Sequence, residues 1–191
     1  MSGLVLLIVH SGLAAAPAAA PGPTTAAFAG IPNVAFEYYD VLGRTAPEIR
    51  RAIDRHPSRP RDPEAPHAND AVALWSINWS WPGDGRGGCN LARAEVRFSA
   101  RVTMPRLAEE ARVAPAVLAR WRAYIAALEA HEAGHLRHAY ERLGAVQAAL
   151  RSSSCARANR DAEAVVAEMN RHDRDYDRTT RHGATQGATF P

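Results

Sequence analysis

Apolar and polar residues alternate one for one in two stretches of the chain. Between Ala71 and Trp81, the side chains of Trp75, Ile77, Trp79 and Trp81 share one face, while Ser76, Asn78 and Ser80 share the other. Between Ala94 and Met104, Val96, Phe98, Ala100, Val102 and Met104 oppose Glu95, Arg97, Ser99, Arg101 and Thr103. A period of two is that of a strand with one buried face. The segment PGDGRGGCN between them reads as a long hairpin turn; it lacks the Lys-Ser/Thr ending of a phosphate-binding loop. An earlier β-branched and aromatic run, Val34 to Val41, predicts a further strand that Gly43 ends. Thr45 with Glu48 then forms a capping box, opening a short helix that carries Ile49 and Ile53.

From Pro115 the period lengthens. Val117, Trp121, Tyr124 and Leu128 recur every three to four positions, the stripe of a helix packed on a core. The next positions of that stripe are His131, His135 and His138, where Leu or Val would be expected. A second line, Leu136, Leu143 and Leu150, carries the helix on toward Leu150, and Ala162 to Met169 predicts another helix. Residues 176–191, YDRTTRHGATQGATFP, read as a loop folded toward a site. The pattern implies an α+β fold: a small antiparallel three-stranded sheet packed against a long helix, with one or two further helices.

The first residues differ from the rest. Leu4 to Leu13 is an apolar run about half the length needed to cross a bilayer, and small residues follow it. Residues 1–20 therefore read as a secretory signal, although no Lys or Arg precedes the run. Residues 21–30 read as a Pro/Ala/Thr linker and 31–191 as a single domain, exported to the periplasm or beyond, with no stable membrane insertion once the signal is removed. In an oxidising compartment Cys89 and Cys155, the only cysteines, are expected to form a disulfide. The net charge of +3 arises from 23 basic residues, all Arg and without a dense stripe, so no nucleic-acid partner is expected. The short Arg55 to Arg61 cluster reads as solvated loop.

Residues 131–138, HEAGHLRH, carry the chemistry. Histidines at i and i+4 of a helix project about 6 Å apart on one face, close enough for both imidazoles to reach one Zn²⁺. Glu132 sits beside them, placed to accept a proton from water activated by the ion. His138, a rise of about 10.5 Å from His131, lies too far to share that ion and is expected to be packed or to support the ligands. The third ligand must come from elsewhere. His182 is the first candidate; Asp177 is the second, as ligand or as a carboxylate orienting an imidazole; Glu163 or Glu168 of the preceding helix are further options. Tyr176 is a candidate donor to the oxyanion of a tetrahedral intermediate. His56, His67 and His172 are read as surface residues.

Taken in order, FEYYDVLGRT, WSINWSW, Cys89, HEAGH after RWRAYIAALEA, Cys155 and YDRTTRHGATQG resemble the bacterial family catalogued as domain of unknown function 922, described as predicted secreted zinc-dependent proteases. The resemblance runs from about Val34 to the end. It implies an exported zincin-like hydrolase with His131 and His135 as ligands and Glu132 as catalytic base. The expectation is thus a zinc-dependent peptidase acting on a peptide or protein substrate. Its rivals are a non-catalytic zinc-binding periplasmic module and a zinc amidase acting on cell-wall peptide. An open position on the ion separates enzyme from structural site.

Overall fold

A computed structural model describes residues 26–60 and 69–191. The expected signal, residues 1–20, and His67 lie outside them. Strand β1 (Val34–Val41) leads into helix α1 (Ala46–Arg55), where the Glu48 carboxylate accepts the N–H groups of Arg44 and Thr45 at 2.8 and 3.2 Å. Strands β2 (Val72–Ser80) and β3 (Glu95–Leu107) follow, then helices α2 (Pro115–Glu141), α3 (Leu143–Arg151) and α4 (Ala158–Thr180).

The fold is α+β, but its sheet is mixed rather than antiparallel. β3 is central; β2 pairs with it antiparallel and β1 pairs with it parallel, in the order β1-β3-β2. A turn returns β2 into β3, whereas β1 leaves through α1, and a crossover containing a helix can deliver the chain to a parallel neighbour. Pro105 is tolerated in the central strand because β2 pairs only as far as Thr103, so the side its missing N–H would face is already free.

The alternation read from the sequence sets the layers. Phe98, Ala100, Val102 and Met104 of β3 are buried under the helices, while Glu95, Arg97, Ser99 and Arg101 face solvent. Trp75 and Trp79 of β2 also turn to the helical layer, donating their indole N–H groups to Asp173 and Asn159 of α4 at 2.6 and 2.9 Å. The helical run from Pro115 is interrupted at Arg142, so Leu150 belongs to α3 rather than to the long helix. α4 extends well beyond Ala162–Met169: Tyr176 and Asp177, expected in a loop, stand on its last turns. The tail proper begins at Arg181 and returns Phe190 to the core, edge-on to Trp121 at 5.4 Å.

Arg61 lies outside the described residues, and the rest of the Arg55–Arg61 cluster is solvated only in part. Arg59 and Arg50 both bind the half-buried Asp70, at 2.7 Å and, for the two Arg50 contacts, 2.6 and 2.8 Å, and the Tyr124 hydroxyl donates to the same carboxylate at 2.6 Å. Burial alone would raise the Asp70 pKa; these donors hold it below the usual range. The network fixes α1 and the entry to β2 against α2, the Asp70 carboxylate being paired with two guanidinium groups and a hydroxyl. Cys89 and Cys155 form a disulfide that joins the β2–β3 turn to the α3–α4 connection. Among the described residues no helix is long and apolar enough to cross a membrane.

Candidate metal centre

On α2 the buried stripe Trp121, Tyr124, Leu128 continues into His131 and His135, which are 3% and 7% exposed. Burying two imidazoles in an apolar stripe requires partners for their nitrogens. Those partners come from α4 and the tail. Asp177 Oδ1 lies 3.1 Å from His131 Nε2 and 3.1 Å from His135 Nε2, so both rings turn the same nitrogen toward one carboxylate oxygen.

The other nitrogen of each ring also faces an oxygen. His131 Nδ1 is 3.0 Å from Gln186 Oε1, and the Gln186 amide donates to the Tyr176 hydroxyl at 3.0 Å. His135 Nδ1 is 3.2 Å from Asp173 Oδ1, while Asp173 Oδ2 accepts the Trp75 indole N–H at 2.6 Å. An oxygen beside Nδ1 favours the tautomer with the proton there and leaves the Nε2 lone pair for a ligand; such partners commonly orient metal-binding histidines. Asp173, Tyr176, Asp177 and Thr180 recur at helical spacing on α4 and so present one face to α2.

Two glycines permit this approach. A Cβ on Gly134, inside HEAGH, would stand 2.5 Å from the Tyr176 hydroxyl oxygen, and a Cβ on Gly183 would stand 2.9 Å from His131 Cγ. Gly183 also has a φ of +79°, as the chain reverses after α4 through Arg181 (φ 52°) and His182 (φ 51°).

His131, His135 and Asp177 form a group whose ligand atoms all lie within 4.8 Å of one another. Two imidazole nitrogens and one carboxylate oxygen suit a divalent transition ion, and a three-residue set leaves a coordination position open. The donors present therefore fit the zinc implied by the sequence pattern. Asp177, rather than His182, completes the group: His182 is half exposed, with Nδ1 3.5 Å from Asp177 Oδ1. Glu163 is exposed on α4, fourteen residues and so about 21 Å of helix before Asp177. Glu168 faces Arg142 and Arg171, each at 3.8 Å. His138 packs against His172, and the His56 ring lies 4.8 Å from that of Tyr39.

Glu132 is 5% exposed and accepts the backbone N–H of Ala73 on β2. Burial pushes its carboxyl up to about 7, against the opposing pull of His131 and His135. Burial would lower the His135 pKa, but Asp173 and Asp177 outweigh it and push the ring up to about 10. Asp177 is held well below the usual carboxylate range: burial would raise it, and the contacts from His131 and His135 prevail. Tyr176 stacks on His131 with ring centroids 5.0 Å apart. Its hydroxyl meets the Gln186 side chain and it does not line the cleft, so Tyr176 packs behind a candidate ligand rather than facing the open space.

That cleft, about 400 Å³, is walled by Ala71 and the start of β2 to Leu74, by Glu132 and the three ligand candidates, and by Arg181 and His182. Gln186 stands among the polar tail residues expected near the site, whereas Asp173 is not among the expected site residues. The signal for Asp173 is its place four residues after the buried Met169, on the stripe of α4.

The family model described as "Bacterial protein of unknown function (DUF922)" matches residues 36–183. No curated protein and no solved structure matches the chain.

Proposed function

We propose that this chain, which belongs to the DUF922 family of bacterial proteins of unknown function, is an exported zinc-dependent peptidase with its centre at His131, His135 and Asp177. The observation that carries the reading is the convergence of both Nε2 atoms on Asp177 with a buried glutamate at the next position of α2. A closed structural site has no use for that carboxylate. The disulfide supports export, because such bonds persist in oxidising compartments.

Bound at this centre, zinc supplies Lewis acidity toward a carbonyl oxygen and toward water. Glu132 then acts as general base, taking the proton of the attacking water and returning it to the leaving amine. A carboxyl held near neutral pH by burial is matched to both transfers. Asp173 and Gln186 hold the two imidazoles in place, and Tyr176 keeps the His131 ring from tilting. His182 and Arg181 line the cleft, available to the substrate.

Substrate orientation follows from the sheet register. The Ala100 N–H bonds to Asn33 O at 2.9 Å on the β1 side, so the backbone groups of Arg101 face β2 and those of its partner Leu74 face β3. Ala73, Trp75 and Ile77 therefore turn theirs outward from the sheet, consistent with the Ala73 N–H reaching Glu132. An extended peptide laid along this edge gains main-chain hydrogen bonds and passes its backbone before Glu132.

The test is cleavage of an extended-peptide library by the zinc-loaded chain. Hydrolysis should stop with chelator and resume with zinc. Glu132→Gln should keep the ion and lose about 10²- to 10⁴-fold in rate. Cleavage by Glu132→Gln at the parent rate overturns the assignment of the base.

A further inference from the structure

We propose that His138 and His172 form a second transition-metal site, on the seam between α2 and α4 and distinct from the His131, His135 and Asp177 centre. His138 is the histidine of the octet that the first centre leaves unused. Its ring lies on that of His172, with centroids 3.5 Å apart and planes 15° from parallel. One residue comes from each helix; His138 is half-buried and His172 exposed.

The ring nitrogens mark the pair as ligands in waiting. At the first centre each Nδ1 faces an oxygen of Gln186 or Asp173. Among the described residues, no nitrogen of His138 or His172 has a protein hydrogen-bond partner. Burial and the neighbouring His172 lower the His138 pKa, which favours the neutral ring that binds metal.

Spacing fits as well. Two nitrogens bound to one tetrahedral ion at about 2.0–2.1 Å stand about 3.3 Å apart, and rings whose centroids are 3.5 Å apart are near enough for side-chain rotation to bring one nitrogen of each to that distance. The stacked rings must fan open for both lone pairs to meet an ion, and the exposed His172 has room to tilt. Imidazole donors select zinc, nickel or copper over calcium and magnesium. Asp173 and Glu141 contribute negative charge nearby and Arg142 positive charge. With water filling the remaining positions, the ion clamps the helix bearing HEAGH to the helix bearing Asp173 and Asp177. This inference does not depend on peptidase activity.

The test is calorimetric titration of the metal-free chain with nickel, repeated on His172→Ala. Because His172 is exposed, its loss should leave the fold, and hence the far-ultraviolet circular dichroism, unchanged. The parent is expected to bind one more equivalent than His172→Ala, and His138→Ala to lose the same equivalent. Copper bound to a His131→Ala/His135→Ala chain should show coupling to two imidazole nitrogens by electron paramagnetic resonance. Equal nickel stoichiometry in parent and His172→Ala, or copper without nitrogen coupling, overturns the site.

Discussion

Asp173 Oδ1 lies 3.2 Å from His135 Nδ1, and the other oxygen of the same carboxylate receives the Trp75 indole N–H at 2.6 Å. A strand tryptophan thus sets a helix carboxylate, which sets the imidazole of a second helix. Replacing a carboxylate that orients a ligating histidine typically costs about 10- to 100-fold in metal affinity. Asp173→Asn should weaken zinc by that amount, measured by competition with a chromogenic chelator, and Trp75→Phe should weaken it less. Unchanged affinity in Asp173→Asn would show that the carboxylate does not orient the ring.

The glycine of HEAGH makes a separate prediction. In Gly134→Ala, helix propensity favours the folded state by about 1 kcal/mol, but the new Cβ meets the Tyr176 hydroxyl oxygen at 2.5 Å and its Cζ at 2.8 Å. Overpacking of this kind costs about 1–3 kcal/mol and should prevail. The variant should melt below the parent and bind zinc more weakly, since Tyr176 stacks on His131. Adding Tyr176→Phe, which removes the nearer of the two contacts, should restore part of the stability. A melting temperature at or above that of the parent would mean that Tyr176 moves aside freely.

Stability of the metal-free chain should depend on pH in a definite direction. His135 is raised to about 10 in the fold, so its contribution is complete below about 6.5 and is lost as pH rises through 10. Glu132 is raised from 4.5 to about 7, which also removes stability as pH climbs between those values. Asp177 is lowered, so its contribution is present above 3.8 and lost on acidification. Thermal melts of the metal-free chain should therefore peak near pH 4 to 5 and decline toward pH 10.

The same protonation predicts linkage. His135, protonated at neutral pH without metal, must shed its proton to become a ligand. Zinc binding at pH 7.5 should therefore release about one proton, read from the dependence of calorimetric enthalpy on buffer ionisation enthalpy. Zinc should also remove the alkaline decline in melting temperature. A binding enthalpy independent of buffer would contradict the assignment of His135 as a ligand.

The two histidines were legible in the sequence because residue type and helical period coincide: they fall where the stripe from Trp121 to Leu128 calls for apolar side chains. Asp173 and Asp177 obey the same rule on α4, after Met169. The polar, Thr- and Gly-rich composition beyond Tyr176 obscured it, since α4 is held there by contacts with α2 rather than by local propensity. Strand faces were equally readable, because a period of two states which side chains are buried. It does not state which strand lies alongside, so the parallel placement of β1 emerged only from the path through α1.

The most direct test of the centre is X-ray absorption spectroscopy of a His172→Ala chain, which lacks the second site, carrying one equivalent of zinc and compared with the same chain bearing Asp177→Asn or His131→Ala. The account predicts a shell of nitrogen and oxygen at about 2.0–2.1 Å containing two imidazoles, reduced to one in His131→Ala, with affinity sharply lower in both variants. Zinc held equally tightly by all three proteins, with an identical shell, would contradict it.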